Sequence, residues 1–137
     1  MPDVYSDIVR DHFEHPRNVG VIDQADADAE VSNPACGDIM HLYLRIADER
    51  IVEAKFQTQG CPAAIAAGSV LTELLIGKTI AESLQIKEAF INQTLGGLPP
   101  QKVHSAVLSE DAIKAAIASY RQRAVDDDSK AQGAMGS

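Results

Sequence analysis

The chain has 137 residues, 45% of them hydrophobic, and a formal charge of -8. That is the size and composition of one domain able to bury its own core. Twelve Lys and Arg against twenty Asp and Glu leave no basic footprint for nucleic acid. No apolar run approaches the roughly 18 residues of a membrane span, and no basic-then-apolar leader precedes a cleavage site, so the expected setting is cytoplasmic, with no membrane partner. Aromatic residues are 4% of the total and Trp is absent, so aliphatic side chains and Ala must fill the core. The acidic excess gathers at Asp23, Asp26, Asp28 and Glu30 and again at Asp126 to Asp128. Both runs read as solvated surface, with some scope for meeting a basic protein partner.

Residues 4 to 13 carry Tyr5, Ile8, Val9, His12 and Phe13 on one helical stripe, with Asp3 as a candidate N-cap and Pro16 as a stop. Arg17-Asn18-Val19-Gly20 reads as a connector. Ala27, Ala29 and Val31 alternate weakly with polar residues; Met40, Leu42, Leu44 and Ile46 alternate clearly, and so do Val52, Ala54 and Phe56 after the turn at Asp48-Glu49-Arg50. Short connections make these strands an antiparallel meander. From Cys61 the period becomes helical. Pro62 suits a first helical position, Gly77 a stop, and Ala63, Ala64, Ala66, Ala67 and Gly68 let this helix approach the sheet closely. Thr79 and Glu82 form a capping box. A further helix is predicted over about 87 to 95, and a last one carries Val107, Leu108, Ile113, Ala116, Ile117 and Tyr120 on its apolar side. The expected fold is α+β, a small three-stranded antiparallel sheet with helices packed on one face. Residues 1 to 124 make the domain. Residues 125 to 137 are predicted to be a disordered tail, whose ending, Gly133-Ala134-Met135-Gly136-Ser137, resembles a vector-derived scar.

Four residues stand out for chemistry. Cys36 lies in the turn-rich Asn33-Pro34-Ala35-Cys36-Gly37-Asp38, where Asp38 sets a carboxylate beside the thiol. A cysteine before a strand is more often a small buried hydrophobe than a ligand. Cys61, in Gly60-Cys61-Pro62, sits at a helix start, where free N–H groups and the helix dipole favour a thiolate. His104 falls on a loop before the last helix, and a lone loop histidine is ordinarily surface. His12, His15 and His41 carry the same plain reading. If the loops meet at one end of the domain, Cys36, Asp38, Cys61 and His104 form a Cys₂-His-Asp set suited to zinc or iron. Spacing does not establish that they meet. The separation of the two cysteines fits neither a CxxC redox pair nor a tandem zinc framework, and a cytosolic setting disfavours a disulfide. A Cys–His enzyme built on Cys61 and His104 would lack an orienting group and an oxyanion hole.

The chain resembles the NifU-like/IscU scaffold family from about residue 5 to 123. The matching segments are Tyr5 to Phe13, Pro16-Arg17-Asn18-Val19-Gly20, Asn33 to Asp38, Gly60-Cys61 with its Ala-rich helix, Gly77-Lys78-Thr79, Leu98-Pro99-Pro100-Gln101-Lys102, and His104 through Ile117. The resemblance implies a scaffold rather than an enzyme, on which a [2Fe-2S] cluster is assembled from iron and sulfur delivered by a cysteine desulfurase, then passed to apo iron–sulfur proteins. It carries Cys36, Asp38, Cys61 and His104 over as ligands, with zinc in a cluster-free form and a homodimer around a cluster as further arrangements. It also makes Leu98, Pro99, Pro100, Gln101 and Lys102 a docking segment for a DnaK-type chaperone and its co-chaperone. Gln101 departs from the Val or Ala usual at that place. No long insertion separates Cys61 from His104, so the zinc-dependent SufU subgroup fits less well.

Ser105 is the main departure. The family has its third cysteine here, and a hydroxyl neither ionises like a thiol nor forms a persulfide. Three origins stand open: an engineered change, a natural site completed by Asp38 or His104, or a specialised paralogue; the vector-like ending tilts the balance toward the first. A zinc-binding regulatory module acting on a desulfurase, built from the same four residues, is the alternative function.

Overall fold

Three stretches of period-two alternation become three strands, β1 (Ala27–Asn33), β2 (Asp38–Ala47) and β3 (Arg50–Gln59), paired antiparallel in the order β1-β2-β3. The structure is a computed structural model that describes residues 5–33 and 37–136; for Gln101 and residues 124–136 it describes the backbone alone. β2 and β3 are joined at Asp48-Glu49, both with left-handed φ (53° and 63°), and Ala47 faces Arg50 across the turn. Two consecutive positive φ values are the twist-matched geometry of a two-residue hairpin. On β2 the inward row is Asp38, Met40, Leu42, Leu44 and Ile46, all buried. The opposite row is polar: His41 bonds Asp28 at 2.7 Å and stacks on Tyr43 with ring centroids 4.2 Å apart. The helices therefore lie on the inward face, as the alternation predicts.

Helix α1 spans Asp7–Glu14 and starts one turn later than its apolar stripe suggests. Its N-cap is Ser6, whose side chain accepts from the Val9 N–H; Asp3, the expected cap, lies outside the described residues. Only Val9 and His12 of the stripe are buried, while Ile8 and Phe13 stay largely exposed. After α1 the connector lies along the outer edge of β3, with Gly20 N–H donating to Phe56 O at 2.9 Å and Phe56 N–H to Asn18 O at 3.0 Å. It thereby covers an edge that would otherwise invite pairing.

Helix α2 (Pro62–Leu75) has a run of buried small residues, Ala63, Ala64, Ala66, Ala67 and Gly68. Gly68 meets the Phe56 ring so closely that a methyl on it would fall 2.5 Å away. At that point the helix backbone lies directly on a side chain of the sheet. Gly77, at φ +91°, follows the helix in the left-handed conformation that ends it. The capping box of Thr79 and Glu82 is present and opens the single-turn α3 (Ile80–Ser83). Helix α4 (Glu88–Thr94) and a 3₁₀ turn (Pro100–Lys102) lead to α5 (His104–Gly136), which packs across β1 and β2 through Leu108, Ala112, Ile113, Ala116 and Ile117. Val107, expected on the apolar side of α5, is 41% exposed. The α5 backbone is helical to Gly136.

Candidate metal centre

Asp38 opens β2 on its inward row, so alternation drives a carboxylate into a position that Met40 and Leu42 fill further along. Its side chain is 5% exposed. A buried carboxylate needs a partner, and two further elements bring one each. Cys61 is the N-cap of α2, in extended backbone with Pro62 at the first helical position, and its thiol makes no capping bond. Its Sγ is thus left to face Asp38 Oδ2 at 3.8 Å. His104 begins α5 and sets Nε2 3.1 Å from the same Oδ2. One ligand atom from each of Asp38, Cys61 and His104 lies within 4.8 Å of the others. Such a trio can close on one ion of the zinc or iron type. Among the described residues no other group of this kind gathers.

Three of the four expected ligands therefore meet, and the fourth, Cys36, lies outside the described residues. Gly37 beside it takes φ +73° and donates its N–H to Asn33 O at 2.8 Å, the tightening that the loop sequence suggests. His104 belongs to a helix rather than a loop; its place in the first turn fixes the direction of its ring. The next residue, Ser105, is fully buried with Oγ 3.9 Å from Cys61 Sγ, so the hydroxyl borders the same cluster. In the segment before α5, Leu98 is buried, Pro99 is half-buried, and Pro100 is exposed. Gln101 has no described side chain.

Sequence reasoning missed Tyr5 as a neighbour of this site. Burial raises the pKa of its phenol, and the nearby charges of Cys61 and Asp38 raise it further, while Lys102 opposes them. The only signal was its place at the edge of the α1 stripe, which reads equally as core. Of the other histidines, His12 is buried against Ser69 Oγ, His41 pairs with Asp28 on the far face of the sheet, and His15 is exposed.

Residues 4–127 match the NifU-like N terminal domain. The chain belongs to that family. It is 51% identical over 117 residues to the iron–sulfur cluster assembly scaffold protein IscU 1 of Archaeoglobus fulgidus, covering 85% of this chain and 76% of the relative. To the scaffold protein IscU of Escherichia coli K12 it is 48% identical over 123 residues, covering 87% of this chain and 95% of the relative. Among solved structures, the N-terminal part of a nitrogen-fixing NifU-like protein from Brucella abortus superposes with a TM-score of 0.74, covering 88% of this chain and 96% of that one. At 19% identity that likeness speaks for the fold alone. The NifU-like fold thus has the three-stranded sheet and helical layer that patterning predicted. No helix among the described residues is long and apolar enough to cross a membrane.

Proposed function

We propose that this NifU-like chain is a scaffold that assembles [2Fe-2S] clusters from iron and desulfurase-derived sulfur and releases them to apo-proteins. The cluster is its cargo, not a resident cofactor, and the chain holds its cargo without turning over a substrate. One observation carries the reading: a thiol, an imidazole and a carboxylate from three separate elements converge within 4.8 Å, in a chain about half identical to IscU scaffolds. Cys61 and Cys36 would supply thiolates, His104 a nitrogen, and Asp38 an oxygen that binds iron less firmly and keeps the cargo exchangeable. Leu98 to Lys102 would dock a DnaK-type chaperone, and a cysteine desulfurase and apo iron–sulfur proteins would be the donor and the recipients.

A second reading has support from the size of the ligand triangle. Asp38, Cys61 and His104 suit one zinc ion as well, in a module that would regulate a desulfurase without building clusters. Anaerobic reconstitution with ferrous iron and sulfide separates the two when it is run on this chain and on Ser105→Cys. Cluster absorbance with matching iron and sulfide content in both would mean that Cys36, Asp38, Cys61 and His104 suffice. Absorbance in Ser105→Cys alone would mean that the hydroxyl beside Cys61 disables a scaffold. Zinc retained by both, with no cluster in either, would replace the scaffold reading by the regulatory one.

A further inference from the structure

Gly60 joins β3 to the Cys61 N-cap, and its reason for being glycine is not conformational. Unlike Gly37 and Gly77, it does not take the left-handed φ that side chains avoid. What forbids a side chain is space. A methyl built on Gly60 would lie 2.5 Å from Asp38 Oδ1, 2.8 Å from Asp38 Cγ and 3.2 Å from Ala64 Cβ. The Asp38 backbone is held by its pairing with Asn33 on β1, so the movable end of that contact is the carboxylate.

We propose that Gly60 is a positioning residue for the cluster site: its missing side chain lets the Asp38 carboxylate lie against the backbone, where Oδ2 reaches both His104 and Cys61. The 3.1 Å and 3.8 Å contacts of Oδ2 depend on the opposite oxygen, Oδ1, having this slot. Any side chain at position 60 turns the carboxylate out of the ligand triangle while leaving all three ligands in the chain. Gly60→Ala is then a removal of Asp38 by displacement. The role of the site rests on the scaffold reading above; the steric coupling of Gly60 to Asp38 does not.

The test is a cycle of Gly60→Ala, Asp38→Ala and the double variant in the full chain, with two readouts. The first is zinc affinity, measured anaerobically against a competing chelator. Gly60→Ala and Asp38→Ala should each weaken zinc by at least about tenfold, since even the loss of a partner that only orients a ligand costs that much, and the double variant should bind no more weakly than Asp38→Ala. The second is the lifetime of a reconstituted cluster, which should lengthen in Gly60→Ala as in Asp38→Ala. General loosening of the fold would weaken zinc and shorten the lifetime together. Zinc binding at the parent level in Gly60→Ala would overturn the proposal, and so would a loss that adds in full to that of Asp38→Ala, because it would route the effect through Ala64. If Gly60→Ala fails to fold and the double variant folds, the clash with Asp38 is demonstrated directly; if both fail, the clash lies with α2 and the proposal falls. Should the zinc cycle hold while no form of the chain builds a cluster, the scaffold reading fails and the positioning role stands. Clusters in the parent, with Gly60→Ala matching it in both readouts, would do the opposite: the scaffold reading would stand and the positioning role would fail.

Discussion

Asp38 and Met40 point the same way from β2, yet one ends at a thiol and an imidazole and the other in the apolar core. Position on the strand decides this, since Asp38 stands at the end where α2 and α5 both begin. An oxygen ligand in such a place should hasten exchange of the cargo. Asp38→Ala should therefore slow cluster loss, followed as decay of visible absorbance under a chelator; faster loss would refute the labile-ligand role. At this scale the sequence was partly legible. That these residues belong together came through resemblance, because Asp38 and Cys61 stand 23 residues apart and Asp38 and His104 stand 66 apart. No local pattern encodes a contact over such distances. Tyr5 stood out only as the edge of an apolar stripe, and Gly60 only as the residue before Cys61, because what each does depends on neighbours from other elements.

Between elements, α2 lies unusually close to β3 at Gly68 and Phe56. Gly68 is buried against Phe56, itself 1% exposed, so the ring has nowhere to retreat. Gly68→Ala should destabilise the fold by about 1–3 kcal/mol, the usual cost of overpacking a filled core, read as a lowered urea midpoint at unchanged slope. The ordinary gain in helix propensity from Gly to Ala would oppose it, and a raised midpoint would mean that the sheet yields. Here the sequence was most legible. The small-residue run announced the close approach, the alternation set three strands and their inward rows, and Thr79 with Glu82 marked the start of α3 to the residue. Boundaries that depend on tertiary contact were less so. Ser6 caps α1 and also donates its hydroxyl to Leu95 O, tying the helix start to the end of α4.

Across the whole molecule, α1 is fastened to α2 by His12, whose Nδ1 lies 2.7 Å from Ser69 Oγ; Ser69 Oγ also accepts the Arg17 N–H at 2.9 Å. Burial pushes the His12 pKa below its usual 6.5, and Arg17 adds to this against the opposing pull of Glu73 and Asp11. The unfolded chain then binds this proton more readily than the folded one. The contribution of His12 is intact above about pH 6.5 and is lost as pH falls through the lower folded value. Urea midpoints measured down that range should fall more steeply for the parent than for His12→Gln; parallel curves would remove His12 from the account. Asp28 shows the same sign further down. Its hydrogen bond from His41 holds its pKa below the usual 3.8, so its loss begins only in stronger acid.

The three elements that carry Asp38, Cys61 and His104, a strand start and two helix starts, share no local segment of chain. In the unfolded polymer, closing loops of this length around one ion carries an entropic cost that the finished sheet and helices have already met. A metal held there would bind the completed fold far better than any fragment of it, and each bound ion would deepen the native well by mass action. Cargo and architecture would then be thermodynamically one system: a loaded chain would certify its own folding, and a chain that loosened at this seam would surrender its load.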